Sequence, residues 1–130
     1  MMDKLKSKHL SDLHFEHELW AMEVKFYREE LKLYQKWLEE VAVKNTHEEA
    51  LKQVEHFQNQ FLIQKNQLNV LKHQIKAHEQ WLAGFAESHP VAIDHVSFAD
   101  HAVMRENVET AKRLFTDLKL EFKRFLDKRL

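Results

Sequence analysis

HFEHELWAMEVKFY, residues 14–27, places large apolar side chains on two opposite faces of what its spacing predicts to be one continuous helix. Trp20, Val24 and Tyr27 point one way, while Phe15, Leu19, Met22 and Phe26 point nearly the other way. The first line belongs to a long seam with alternating spacings of three and four, from Leu10 and Leu13 through His17, Trp20, Val24, Tyr27, Leu31, Tyr34 and Leu38 to Val41. Two more seams follow. One runs through Ala50, Val54, Phe57, Phe61, Gln64, Leu68, Leu71, Ile75, His78, Leu82 and Phe85, the other through His101, Met104, Val108, Ala111, Phe115, Leu118, Phe122 and Phe125. Sustained heptads of this kind predict long helices packed as in a coiled coil.

The punctuation divides the chain into three such helices, about 11–44, 46–86 and 97–129. Ser11-Asp12 reads as the first start, and Thr46-His47-Glu48-Glu49 has capping-box spacing for the second. Ser97 to Asp100 offers a similar start for the third. Either Gly84 or the approach to Pro90 ends the second helix. The short link near residue 45 forces the first two helices to run antiparallel, so the fold class is an all-α, up-down-up three-helix bundle. Residues 1–10 read as a flexible N-terminal segment and 11–130 as one bundle domain. Folding the seams together predicts layers such as Trp20/Leu71/Phe115 and Leu31/Phe61/Phe125, with Val108 and Ala111 as the third-helix neighbours of His17 and His78. It also leaves Leu38, Val41, Ala50 and Val54 thinly covered. Tyr27 and Gln64 form a polar layer that fixes register.

Composition agrees. The 130 residues contain one Gly, one Pro and no Cys, so tight turns, phosphate-cradling loops, disulfides and thiolate sites are disfavoured. The formal net charge of −1 gives no reason to expect nucleic acid. Residues 12–43 are acidic on balance and residues 105–130 basic, which predicts solvated faces of opposite sign lying side by side. The lysine-bearing start lacks the apolar core of a signal peptide, and no apolar run is long enough to span a bilayer. A cytoplasmic location is the expectation.

The second apolar line of the first helix, Phe15, Leu19, Met22, Phe26 and Leu33 with Trp37 at its flank, faces away from the bundle seam. Only Glu29 interrupts it between Phe15 and Leu33. Glu16, Glu23 and Glu30 along its margin argue against anionic lipid as its cover. Homo-oligomerisation covers such a stripe most simply, because a two-fold axis buries both copies at once. The leading functional reading is therefore a non-enzymatic protein that works by association, first with itself as a homodimer or higher oligomer and then with a protein partner.

Ten histidines form the other unusual feature. Folding brings most of them to one end of the bundle, where His14, His17 and His78 are the candidate ligands for a divalent transition metal such as Zn²⁺ or Ni²⁺. Neither Glu-x-x-His, His-x-x-x-His nor His-Glu-x-x-His occurs, and no nucleophile has a triad around it. The expectation is a protein without cofactor or catalysis, with a metal-binding bundle as the alternative.

Overall fold

A computed structural model describes residues 2–88 and 95–130, with side chains at 11–85, 87 and 100–130. Three helices account for nearly all of it: α1 (Met2–Lys44), α2 (Glu48–Ser88) and α3 (His95–Arg129). They form the antiparallel up-down-up bundle, with α1 and α2 the most closely packed pair. No strand occurs among the described residues, and no described helix is long and apolar enough to cross a membrane.

α1 begins at Met2 rather than at Ser11, because residues 2–10 hold no Gly or Pro to stop it. Its C-terminus is closed by Asn45. The backbone N–H donates to the Val41 carbonyl at 2.9 Å, and the side-chain amide reaches the same oxygen at 3.0 Å and the Arg129 carbonyl at 3.2 Å. α2 opens two residues beyond Thr46. Leu51 N–H donates to the His47 carbonyl at 3.1 Å, so His47 takes the N-cap position expected of Thr46. Gly84 lies inside α2 with no positive φ, so it does not end the helix. Pro90 and the Ser97 side chain, the other expected helix signals, fall outside the described residues.

The seams are the core. Trp20, Val24, Leu31, Leu38 and Val41 of α1 are buried, as are Val54, Phe57, Phe61, Leu68 and Ile75 of α2 and Val108, Phe115, Phe122 and Phe125 of α3. Fully burying each of the larger apolar side chains contributes about 1.5–3 kcal/mol.

The vertical position of α3 differs from the expected one by a heptad. Phe115 packs on Tyr27 at 4.5 Å between ring centroids, not in the Trp20 layer, and Phe122 lies 5.4 Å from Tyr34 and 4.9 Å from Phe61. A slip of seven residues returns the same helix face to the core, so the apolar pattern is nearly indifferent to it. Charge is not indifferent. In the observed register Glu16, Glu23 and Glu30 of α1 meet Arg105, Lys112 and Lys119 of α3, a ladder of three ion pairs. Raising α3 by one heptad would leave two. The same displacement carries the end of α3 down to Asn45, which is why Leu38, Val41, Ala50 and Val54 are buried rather than thinly covered. Gln64 is buried in its seam, with Oε1 unpartnered among the described residues, while Tyr27 is half-buried against Phe115.

Candidate metal centre and the outer face of the first helix

At the end of the bundle remote from Asn45 the apolar layers give way to imidazoles. His17 of α1 and His101 of α3 are buried and His78 of α2 is half-buried. Their ring centroids lie 4.9 Å (His17–His78), 5.0 Å (His17–His101) and 5.8 Å (His78–His101) apart. Each helix contributes one, from a seam position. One ring nitrogen from each falls within 4.8 Å of the other two.

Carboxylates hold two of these rings from outside. His17 pairs through Nδ1 with Glu79 of α2, and His101 pairs through Nε2 with Glu16 of α1 at 2.9 Å. Glu16 is itself clamped by Arg105, whose Nε donates at 2.9 Å. That guanidinium, helped by His101 and opposed by partial burial, holds the Glu16 carboxyl at about 2. Burial acts upward on the Glu79 carboxyl, but its bonds to His17 and His14 outweigh it and the net shift is downward. Both acids therefore stay anionic at neutral pH. Burial, reinforced by the charges of neighbouring histidines, pushes His78 below its ordinary value. Burial pushes His101 the same way, against the pull of Glu16. These two rings are neutral at pH 7, the form in which imidazole ligates.

His17 and His101 have one nitrogen held by a carboxylate, and all three rings have a nitrogen to spare. His17 Nε2, His78 Nε2 and His101 Nδ1 are all buried without a hydrogen-bond partner among the described residues. Two indoles close the site. Trp20 stacks on His101 at 4.9 Å and Trp81 on His78 at 6.0 Å. A groove of about 440 Å³ between α1 and α2, lined by His14, His17, Glu18, Lys72, Lys76 and Glu79, gives solvent a route to the outer side of His17. Another, of about 380 Å³ between α2 and α3, contains no titratable side chain and so no acid–base machinery.

His17 and His78 thus come together as their seam positions implied, and the third member is His101 rather than His14. His14 is exposed; it pairs with Glu79 and, at 3.2 Å, with Glu18. It shares a carboxylate with His17 and stands outside the trio. The expectation that Val108 and Ala111 faced the α1 and α2 histidines, leaving α3 with no ligand, fails for the heptad slip described above. Three histidines on three seams was the available signal. His9, His89 and His95 lie outside the described side chains.

The outer face of α1 faces water. Phe15, Leu19, Met22, Phe26 and Leu33 are 40–69 % exposed. Trp37 is half-buried and packs against the core instead, beside Tyr34 at 5.9 Å. Comparison of the chain with protein-family models, with curated proteins and with solved structures finds no match.

Proposed function

We infer that the protein is a metal-binding helical bundle that holds one divalent transition ion between His17, His78 and His101. The observation that carries this reading is the meeting of His17, His78 and His101 from three helices, with one ring nitrogen of each within 4.8 Å of the others and a buried nitrogen on each that has no hydrogen-bond partner among the described residues. Left as plain core, each such nitrogen would cost about 1–3 kcal/mol in lost hydrogen bonding. A cation accepting all three lone pairs removes that cost at a stroke.

The surroundings support the same chemistry. Imidazole ligands are ordinarily oriented by a carboxylate on the far nitrogen, which fixes the tautomer and raises basicity. Glu79 and Glu16 occupy those positions on His17 and His101. A tetrahedral ion with bonds of 2.0–2.1 Å wants its donors about 3.4 Å apart. From their 4.8 Å limit the ring nitrogens must close by about 1.4 Å, by rotation about the side-chain bonds. An all-nitrogen donor set selects Zn²⁺, Ni²⁺ or Cu²⁺ over the oxygen-seeking Mg²⁺ and Ca²⁺. Three protein donors leave a fourth position for water or an external ligand.

The test is a titration of untagged, chelator-stripped protein with Co²⁺, followed in visible absorption and in tryptophan emission, then displacement by Zn²⁺. One equivalent per chain, abolished by His101→Ala and retained by His47→Ala, is the expected result. Equal binding by His17→Ala, His78→Ala, His101→Ala and the unaltered protein would end the proposal.

A further inference from the structure

The exposed line on α1 repeats, on a shorter length, the alternating spacing of its inner seam. It occupies residues 15, 19, 22, 26, 29 and 33, spaced four, three, four, three, four, and therefore reads the same in both directions. About its midpoint Phe15 mirrors Leu33, Met22 mirrors Phe26 and Leu19 mirrors Glu29. Side chains so placed mesh with an inverted copy of themselves, because antiparallel heptad packing sets each of the two seam positions against the other. We propose that this face binds a second copy of the chain, antiparallel, about a two-fold axis beside residue 24.

The charges bordering the line favour that orientation. On one margin Glu16, Glu23 and Glu30 are already bridged to α3 by Arg105, Lys112 and Lys119, so they present no uncompensated charge. The other margin carries Glu18, Lys25 and Lys32, all exposed, with Glu18 held only by exposed His14 and Lys32 by exposed Glu29 of the same helix, surface pairs that readily exchange partners. In the antiparallel arrangement Glu18 meets Lys32 of the other copy, twice over, and Lys25 lies at the axis with Glu29 close by. A parallel arrangement fails on Glu29, which would face its own copy inside the apolar seam, a like-charge burial. Inversion moves the two Glu29 side chains about 15 Å apart along the axis at 1.5 Å per residue. Each then lies against Leu19, with Lys25 and Lys32 in reach.

The area is adequate. Aromatic and long aliphatic side chains each offer roughly 150–250 Å², and about half of that is open here. Five of them supply about 500 Å² per copy and about 1,000 Å² in all, the lower end of specific interfaces. The dimer is accordingly one that forms and dissociates with concentration. It joins two bundles side by side and leaves both histidine sites uncovered, so it neither requires metal nor depends on the preceding proposal.

Absence of cysteine makes the orientation directly measurable. Lys25→Cys, at the axis, links to itself through a short bis-maleimide. Glu18→Cys alone does not, since its copies stand about 20 Å apart. A mixture of Glu18→Cys and Lys32→Cys links efficiently. Light scattering of the unaltered chain gives a mass rising from one copy toward two with concentration, unchanged by chelator. Leu19→Glu with Phe26→Glu stays helical and associates at least roughly tenfold more weakly. A mass of one chain at every concentration, equal linking of Lys25→Cys and Glu18→Cys, or unfolding of the double variant would each overturn the proposal.

Discussion

The two ends of the bundle fill the same seams with opposite chemistry. Near Asn45 the core is aromatic, and Tyr34, Phe57, Phe61, Phe122 and Phe125 lie with ring centroids 4.9–6.2 Å apart. The rings there contact one another in tilted, edge-on and stacked pairs that add to simple burial. At the other end the equivalent positions hold His17, His78 and His101, and Leu13 and Leu82 are buried apart from the continuous apolar cluster. Leucine at those three places would satisfy the heptad pattern better and leave no unpaired nitrogen. One end is thus arranged for stability, and the other gives stability up, a loss that the proposed metal site accounts for.

Truncating the aromatic end is expected to have the largest effect. Phe61→Ala or Phe122→Ala should cost about 3–5 kcal/mol, read from the midpoint of urea unfolding followed by circular dichroism. The opposite sign is expected at the other end. His78→Leu, measured with chelator present, should raise stability by about 1–2 kcal/mol because an unpartnered buried nitrogen disappears. It should at the same time abolish the thermal shift produced by Zn²⁺. A loss of stability on this substitution would place His78 in the ordinary core and erase the contrast between the ends.

Alkaline pH probes the middle of the molecule. Burial, then the bond donated to Glu30 at 2.6 Å, raises Tyr34 above the ordinary phenol value, and burial raises Tyr27 too. These are the only two tyrosines. The unfolded chain releases both protons near pH 10 while the native chain keeps them, so the stability they contribute is whole below pH 10 and is lost above it. Absorbance at alkaline pH should accordingly show no tyrosine ionisation near pH 10 until the protein unfolds. The smallest effect belongs to the α1–α3 ladder. Lys112 Nζ lies 3.2 Å from Glu23 Oε2, close but not aligned as a hydrogen bond, and both side chains are about a third exposed. Lys112→Ala should cost about 0.2–1 kcal/mol, diminishing with salt.

How much of this was legible in the chain follows from what repeats and what does not. Three helices and their buried faces are written in the spacing of Trp20, Val24, Leu31, Phe61, Phe115 and their neighbours, since that spacing is the packing. Vertical alignment is a different kind of information. A heptad repeat looks alike after every seven residues, so Phe115 beside Trp20 and Phe115 beside Tyr27 satisfy it equally. Only features that do not recur could decide between them: the three-step ladder from Glu16 to Glu30, and the bond between Asn45 and Arg129 at the closed end. The metal trio inherited that ambiguity. His17 and His78 come from helices joined by a short link, which pins their relative height, whereas His101 follows a longer connection and its level was not determined. His14 looked like a ligand because it sits three residues from His17, but that step turns it to the groove side, where Glu79 and Glu18 engage it.

The closed end with its bonded Asn45, Gln53 and Arg129 has a consequence for the order in which the molecule opens. Amide protons in the neighbouring turns, backed by interlocked phenyl rings, should exchange with solvent only when the whole chain unfolds. Those around residues 13–20, 75–82 and 101–108 have thinner apolar backing and should exchange through partial openings of lower free energy. An ion bound across His17, His78 and His101 would tie those three turns together, and the slow-exchanging region would then run the full length of the bundle.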